Sequence, residues 1–305
     1  MKKLHLSALL ILTTFLAACA TTSPPPTIPD QTIKPKVALV LSGGAARGFA
    51  HVGVIRALEQ EKIPIDLIVG TSVGSLIGAI YAHDRNSFEL EWTAFTLEKD
   101  SIFDYGLFTA FTGMGLAKGE KLEEFVRTKI PTTNIEDLKI PYAAVATDLN
   151  LGKRVVLNHG SVVKAVHASS AIPAIFEPVQ HQGQQLVDGG VTDNIPIDVA
   201  RELGADIVIA VDISENVENH NITNLVDVML QSVNIMFNEN VLSHRHNADV
   251  LITPAVGKVA MLDFTKKKQC MQAGIEATQK AIPEIKEKLA AWRPKAATTG
   301  KSEIR

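Results

Sequence analysis

The sequence predicts an α/β fold: a single domain with a mostly parallel sheet and helices on both faces. Three observations carry this. Short apolar runs alternate with longer stretches of helical pattern, the signature of strand–helix–strand units. The clearest runs, Val37-Ala38-Leu39-Val40-Leu41 and Ile207-Val208-Ile209-Ala210-Val211, are apolar at every position, as strands buried on both faces must be. The chain has 305 residues, with one proline-rich tether near its start and no internal repeat, which suits one large domain.

The N-terminal segment is read apart from the fold. Met1-Lys2-Lys3 is a basic start, and Leu4 to Ala20 is mostly apolar, a pattern that fits a secretion signal and is short for a membrane-spanning helix. Leu16-Ala17-Ala18-Cys19 sets small residues before a cysteine and resembles the lipobox of bacterial lipoproteins. That resemblance implies a signal peptide over 1–18, a palmitate-bearing lipid on Cys19, and anchoring to the membrane through it. Ala20, where an aspartate would retain the protein, implies the outer membrane, facing the periplasm. An ordinary signal peptide or an uncleaved anchor is the alternative. Pro24, Pro25, Pro26, Pro29 and Pro35 stiffen residues 19–36 into a semi-extended tether. The domain is expected over 37–292, followed by a polar tail over 293–305.

The first strand, over 37–41, is followed by a helix from about Arg47 to Gln60. Leu67-Ile68-Val69 is the second strand and leads through a glycine turn into a helix over Ser75 to Ala82. Further strands are expected at Tyr142 to Ala146, at 207–211 after a helix ending at Gly204, and at Val250 to Ile252. Thr265 to Trp292 is helical in pattern, and its lysines (Lys266, Lys267, Lys268, Lys286 and Lys288) read as a solvated face.

Composition excludes several classes. The net charge is −3, with no basic stripe for nucleic acid. The two cysteines are Cys19 and Cys270, so a lipidated Cys19 leaves no pair for an intramolecular disulfide. Cysteine pairs and H-E-x-x-H are both missing, so neither a metal nor another cofactor is implied.

Three motifs carry chemistry. The first strand runs into Ser42-Gly43-Gly44-Ala45-Ala46-Arg47-Gly48, a loop that exposes backbone amides at a helix start and so forms an anion cradle. A P-loop would need G-K-[ST], but Phe49 and Ala50 follow Gly48; a dinucleotide loop would need glycine where Ala45 stands. The oxyanion of an acyl transfer and a plain structural turn remain. Gly70-Thr71-Ser72-Val73-Gly74 reads G-x-S-x-G at a strand-to-helix turn, the setting of a nucleophile elbow; its alternative is a turn whose serine caps the helix. Asp188-Gly189-Gly190 supplies a carboxylate that could take the serine proton, or is a plain turn.

In order and spacing, over roughly residues 37 to 214, these motifs resemble the patatin-like phospholipase family. Residues 167–179 (HASSAIPAIFEPV) and 191–196 (VTDNIP) also look like its later blocks. The resemblance implies a lipid acyl hydrolase of phospholipase A type with a Ser-Asp dyad. Ser72 would be the nucleophile and Asp188 the proton acceptor. Gly43, Gly44 and Ala45 would form the oxyanion hole, with the loop anchored by Arg47 and Gly48. Gly70 and Gly74 would shape the elbow, and Gly189 and Gly190 the acid motif. The implied partner is a lipid or acyl ester; no oligomeric state is implied. The chain departs from the family at Ala45, where a third glycine is usual and a left-handed conformation would be unfavourable.

Two rivals stay open. An α/β-hydrolase triad needs a histidine after the acid, and His220, His244 and His246 follow in order. His51, beside the glycine loop, reads as a helix-face residue. A non-catalytic lipoprotein could use the same cleft to bind acyl chains. Residues 101–119, with Phe103, Tyr105, Phe108, Phe111 and Met114, are either an interfacial flap for a lipid chain or a core-packing segment.

Overall fold

Alternating residues of the first strand, β1 (Val37–Leu41), divide between two cores. Val37, Leu39 and Leu41 face one, Ala38 and Val40 the other, so the strand is buried on both faces as its unbroken apolar run requires. The computed structural model describes residues 34–104, 115–214, 217 and 222–294. The signal peptide, Cys19 and most of the tether, Tyr105, Phe108, Phe111, Met114, His220 and most of the polar tail lie outside these. The described residues from Pro35 on form one compact unit.

The described strands are β1, β2 (Leu67–Thr71), β3 (Tyr142–Asp148), β4 (Lys153–Leu157), β5 (Val179–His181), β6 (Gln184–Asp188), β7 (Ile207–Val211) and β8 (Val250–Ile252). They form one sheet in the order β5-β6-β3-β2-β1-β7-β8, with β4 also on β3. Neighbours from β3 through β8 are parallel, while β4, β5 and β6 pair antiparallel. The antiparallel strands are the ones the apolar runs do not announce. They carry Lys153 and Gln180 exposed and Arg154, Gln184 and Gln185 half-buried, so their hydrophobicity is interrupted.

Helices α1 (Phe49–Gln60), α2 (Val73–Asp84), α3 (Ser87–Thr96), α4 (Glu120–Lys129) and α5 (Val162–Ser169) precede β5. α6 (Ile197–Glu202), α7 (Leu225–His244) and α8 (Lys267–Ala291) follow β6. α1, α2, α5 and α8 contribute to the first core; Ile197, Val199 and Ala200 of α6 and Val241 of α7 contribute to the second. Helices therefore cover both faces. Lys268, Lys286 and Lys288 of α8 lie outward, and Lys286 pairs with Glu61 at 2.7 Å. Lys267 does not: its side chain is largely covered and bonds Glu98 at 2.9 Å and the Phe95 carbonyl at 3.2 Å. The other face of α8 is core: Cys270, Met271, Gly274, Thr278, Ile282 and Ile285 are buried. Burial pushes the Cys270 thiol up to about 11.

α8 packs on α1 backbone to backbone. A Cβ on Gly274 would stand 2.1 Å from the Ala50 carbonyl oxygen, and one on Gly53 would stand 1.9 Å from that of Met271. Gly274→Ala should therefore force the two helices apart. Overpacking of this kind costs about 1–3 kcal/mol, so thermal unfolding should begin several degrees lower. A melting temperature equal to wild type would show that the helices separate without cost.

Candidate active site

The site is built where two strands meet end to end. β2 runs parallel to β3 and ends with Thr71 opposite Val145. β6 runs antiparallel to β3 and ends with Asp188 opposite Ala146. Consecutive residues of β3 thus receive the C-terminal ends of both strands, bringing Ser72 and Asp188 together from opposite directions. A Cβ on Gly189 would lie 2.1 Å from the Val145 oxygen and 3.1 Å from the Thr71 methyl, so glycine is what lets the chain turn away there.

Ser72 itself has φ 54 and ψ −126, a conformation unfavourable for any residue with a side chain. α2 begins immediately after it, two residues earlier than the apolar pattern suggests. Its backbone carbonyl receives the Ser75 amide at 2.8 Å and the Ser75 hydroxyl at 2.7 Å. The Ser72 side chain makes no capping bond, which removes the helix-cap alternative. Gly74 allows the turn to pass β1, because a Cβ there would stand 2.2 Å from the Leu41 oxygen. Gly70 and Gly48 sit in the same crowded turn, against Gly74 and Val73.

Asp188 is fully buried. Its Oδ1 accepts the Gly190 amide at 2.8 Å, while Oδ2 has no well-aligned hydrogen-bond partner. Burial raises the carboxyl from 3.8 to about 7; the nearby Ser72 hydroxyl and the Gly190 amide pull the other way. Proximity to Ser72 without an aligned bond is common in unliganded sites.

The glycine loop is held from several sides. The Gly43 amide donates to the Asn194 backbone oxygen at 3.2 Å and to its Oδ1 at 3.1 Å. The Gly44 carbonyl accepts the Arg47 amide at 3.2 Å and Arg47 Nε at 3.1 Å. Arg47 is buried, and its Nη2 reaches Asn234 Oδ1 at 3.4 Å. The Ala46 amide donates to Met261. Ala45 has φ 48, so the residue that departs from the glycine pattern does occupy the left-handed region. Gly44 does not; a Cβ there would press the flexible end of Ile213. His51 lies on α1, as read, and is wholly buried. Its Nε2 bonds the Ser42 carbonyl at 2.8 Å, and burial lowers its pKa to about 4, so the ring is neutral.

An apolar cavity opens over Ser72. Ala45, Phe49, Leu76, Phe103, Phe176 and Phe264 are among its walls, and Phe103 stacks on Phe176 at 5.3 Å. Phe103 is thus a wall of the cavity; the other aromatics of its segment are outside the described residues. None of the described histidines lines this cavity. His244 donates from Nδ1 to the Asn240 carbonyl within α7, and His246 is exposed in the turn after it.

Two supporting residues carried no assigned role in the sequence. Ser169 Oγ accepts the Ser72 amide at 2.9 Å and donates to the Val145 carbonyl at 2.6 Å, tying the strained turn to β3. Asn194 ties the glycine loop to the turn after Asp188. Both lie in the blocks 167–179 and 191–196, but a buried serine or asparagine has no periodic signal of its own.

The sequence profile described as "Patatin-like phospholipase" matches residues 39–201. An uncharacterized NTE family protein of Mycobacterium tuberculosis is 38% identical over 180 residues, covering 59% of this chain and 49% of that protein. The lysophospholipase nte1 of Aspergillus fumigatus is 35% identical over 185 residues, 60% of this chain and 12% of that one. The chain therefore spans half or less of these relatives. Among solved structures, ExoU in its complex with SpcU from Pseudomonas aeruginosa aligns at 15% identity and TM-score 0.49, covering 85% of this chain and 52% of that one.

Ionising Asp188 works against folding. Its folded pKa lies above the unfolded carboxyl value of about 3.9, so the folded chain keeps a proton that the unfolded chain releases. Stability then falls as pH rises from about 4 to 7 and levels off above. Asp188→Asn removes this loss. Its melting temperature should exceed wild type at pH 8 and approach it toward pH 4, a difference on the order of 4 kcal/mol at most. A gap that is the same at both pH values would mean that Asp188 is not held protonated.

Proposed function

The chain belongs to the patatin-like phospholipase family, and from that premise we propose that it is a serine acyl-hydrolase that cleaves carboxylic esters of lipids through a Ser72–Asp188 dyad. The observation that carries the reading is the pairing of an uncapped Ser72 hydroxyl with a buried carboxyl poised at about 7. A base works best when its pKa matches the working pH.

In this mechanism Asp188 accepts the Ser72 proton as Oγ bonds to the ester carbonyl carbon. The carbonyl electron pair moves to oxygen, forming a tetrahedral oxyanion. Its collapse breaks the ester C–O bond, and the proton on Asp188 passes to the departing alkoxide. Water then attacks the acyl-serine, gives its proton to Asp188, and releases the fatty acid as Ser72 recovers its hydrogen. The Gly43 amide already serves Asn194, so the oxyanion donors are the Gly44 and Ala45 amides. Arg47 supports this by holding the Gly44 carbonyl. In a planar trans peptide the N–H opposes the C=O, so that bond turns the Ala45 amide away from Arg47. Such donors are each worth on the order of 100- to 1,000-fold in turnover.

The apolar lining of the cavity suits an acyl chain of the ester. The printed name of the fungal relative points to lysophospholipids as esters to try first. A histidine-dependent triad finds no support at the cavity wall. We further propose that the chain is a lipoprotein, anchored through Cys19 to the outer membrane on its periplasmic side; residues 16–19 support this.

Ser72→Ala should lower hydrolysis at least about 1,000-fold with little change in melting temperature, and should abolish labelling by a fluorophosphonate probe. Equal labelling of both proteins removes Ser72 as nucleophile. For wild type, kcat/KM should rise with pH and level off around 7, because only the ionised Asp188 accepts a proton. A profile flat from pH 5 to 8 would contradict the dyad.

Cys19→Ser tests the anchor in cells. Radiolabelled palmitate should enter the wild-type chain and not the variant. Equal incorporation would refute lipidation at Cys19.

A further inference from the structure

α3 is a short helix with its apolar residues on both sides. Leu90, Thr93 and Ala94 face inward and are buried. Phe88, Trp92 and Phe95, at i, i+4 and i+7, share the outward face and are 71%, 60% and 45% exposed. Asn86 caps the helix, its Oδ1 accepting the Phe88 and Glu89 amides at 3.0 and 3.3 Å, so this face is held in place. Three large aromatics left in water on one helix face call for a partner.

The surroundings say which. The flanking carboxylates Glu91 and Glu98 are paired with Arg56 at 2.6 Å and Lys267 at 2.9 Å. Glu89 remains in the first turn, and the Lys268 ammonium stands 5.4 Å from the centre of the Phe95 ring. The face is therefore aromatic, with about balanced charge. Trp and Phe between such groups suit the boundary of acyl chains and headgroups. The face also continues into the site. The segment after α3 supplies Leu97, Ile102 and Phe103 to the cavity over Ser72. Phe95 and Phe264 share a groove, and Phe264 is a wall of that same cavity.

We propose that the Phe88–Trp92–Phe95 face of α3 docks on a zwitterionic phospholipid surface and sets the mouth of the Ser72 cavity against it. The significance for catalysis rests on the acyl-hydrolase reading; the docking does not. A lipid ester then has only the short groove between Phe95 and Phe264 to cross from bilayer to cavity.

The proposed Cys19 lipid would itself hold the chain on vesicles, so the test reads the helix locally. In full-length Ser72→Ala/Trp292→Phe protein, Trp92 is the sole tryptophan. On phosphatidylcholine vesicles its emission should shift to the blue and be quenched by lipids brominated along their acyl chains. Unshifted, unquenched emission on bound protein would overturn the proposal. So would emission already blue-shifted in buffer by a dimer, which would give the face to a second copy of the chain. In a catalytically intact chain, Phe88→Ala/Trp92→Ala/Phe95→Ala should lose at least about tenfold in hydrolysis of vesicle-borne ester while keeping hydrolysis of a water-soluble short-chain ester. Equal losses on both, or none on vesicles, would overturn docking. Failure of wild type on both esters would instead refute the hydrolase, and Trp92 emission would still decide the docking.

Discussion

Everything at the site depends on the register of β3. That strand pairs with β2 as far as Val145 and with β6 from Ala146 on. Two strands that run in opposite directions are thereby stopped on neighbouring residues, and their ends cannot drift apart without breaking the sheet. Ser72 and Asp188 face each other because backbone hydrogen bonds hold them so, well before either side chain is considered. A shift of one residue in either pairing would turn the wrong side chain toward the site.

This arrangement is costly, and the fold offsets the cost locally. Ser72 and Ala45 both hold positive φ, at about 1–2 kcal/mol each. An ionised Asp188 is buried with only one amide bonded to its carboxylate. Against a net stability of about 5–15 kcal/mol, such terms are large. The compensating contacts are specific. Ser169 bridges the Ser72 amide to β3, Asn194 takes the Gly43 amide, and Arg47 fixes the Gly44 carbonyl. His51 stays neutral so that it can serve the Ser42 carbonyl without a buried charge.

Further supports of the glycine loop and the cavity lie beyond residues 39–201, where the family profile ends. Ile213 limits the space at Gly44, Asn234 meets Arg47, Met261 holds the Ala46 amide, and Phe264 closes the cavity. α8 then clamps α1, the helix that follows the glycine loop. The C-terminal third is thus a working part of the loop's geometry. It buttresses a segment whose own sequence, rich in glycine, has little side-chain packing to stabilise it.

The sequence alone determined the parallel core and the glycine turns that carry Ser72 and Asp188. Strands buried on both faces must be apolar throughout, and a serine or aspartate at a glycine turn is conspicuous, so β1, β2, β3, β7, Ser72 and Asp188 were legible. β4, β5 and β6 were not, because edge and antiparallel strands alternate with polar residues and imitate loops. Nor were Ser169 and Asn194, whose value is one hydrogen bond to a distant backbone atom. The aromatic face of α3 also escaped notice, since exposure is a property of what packs nearby and not of spacing. Only the tertiary structure decided that Gly43 was already engaged, that Ala45 was left-handed, and that Asp188 was buried enough to hold its proton near neutrality. Each of these depends on partners far along the chain, and a pattern of local residues carries no record of them.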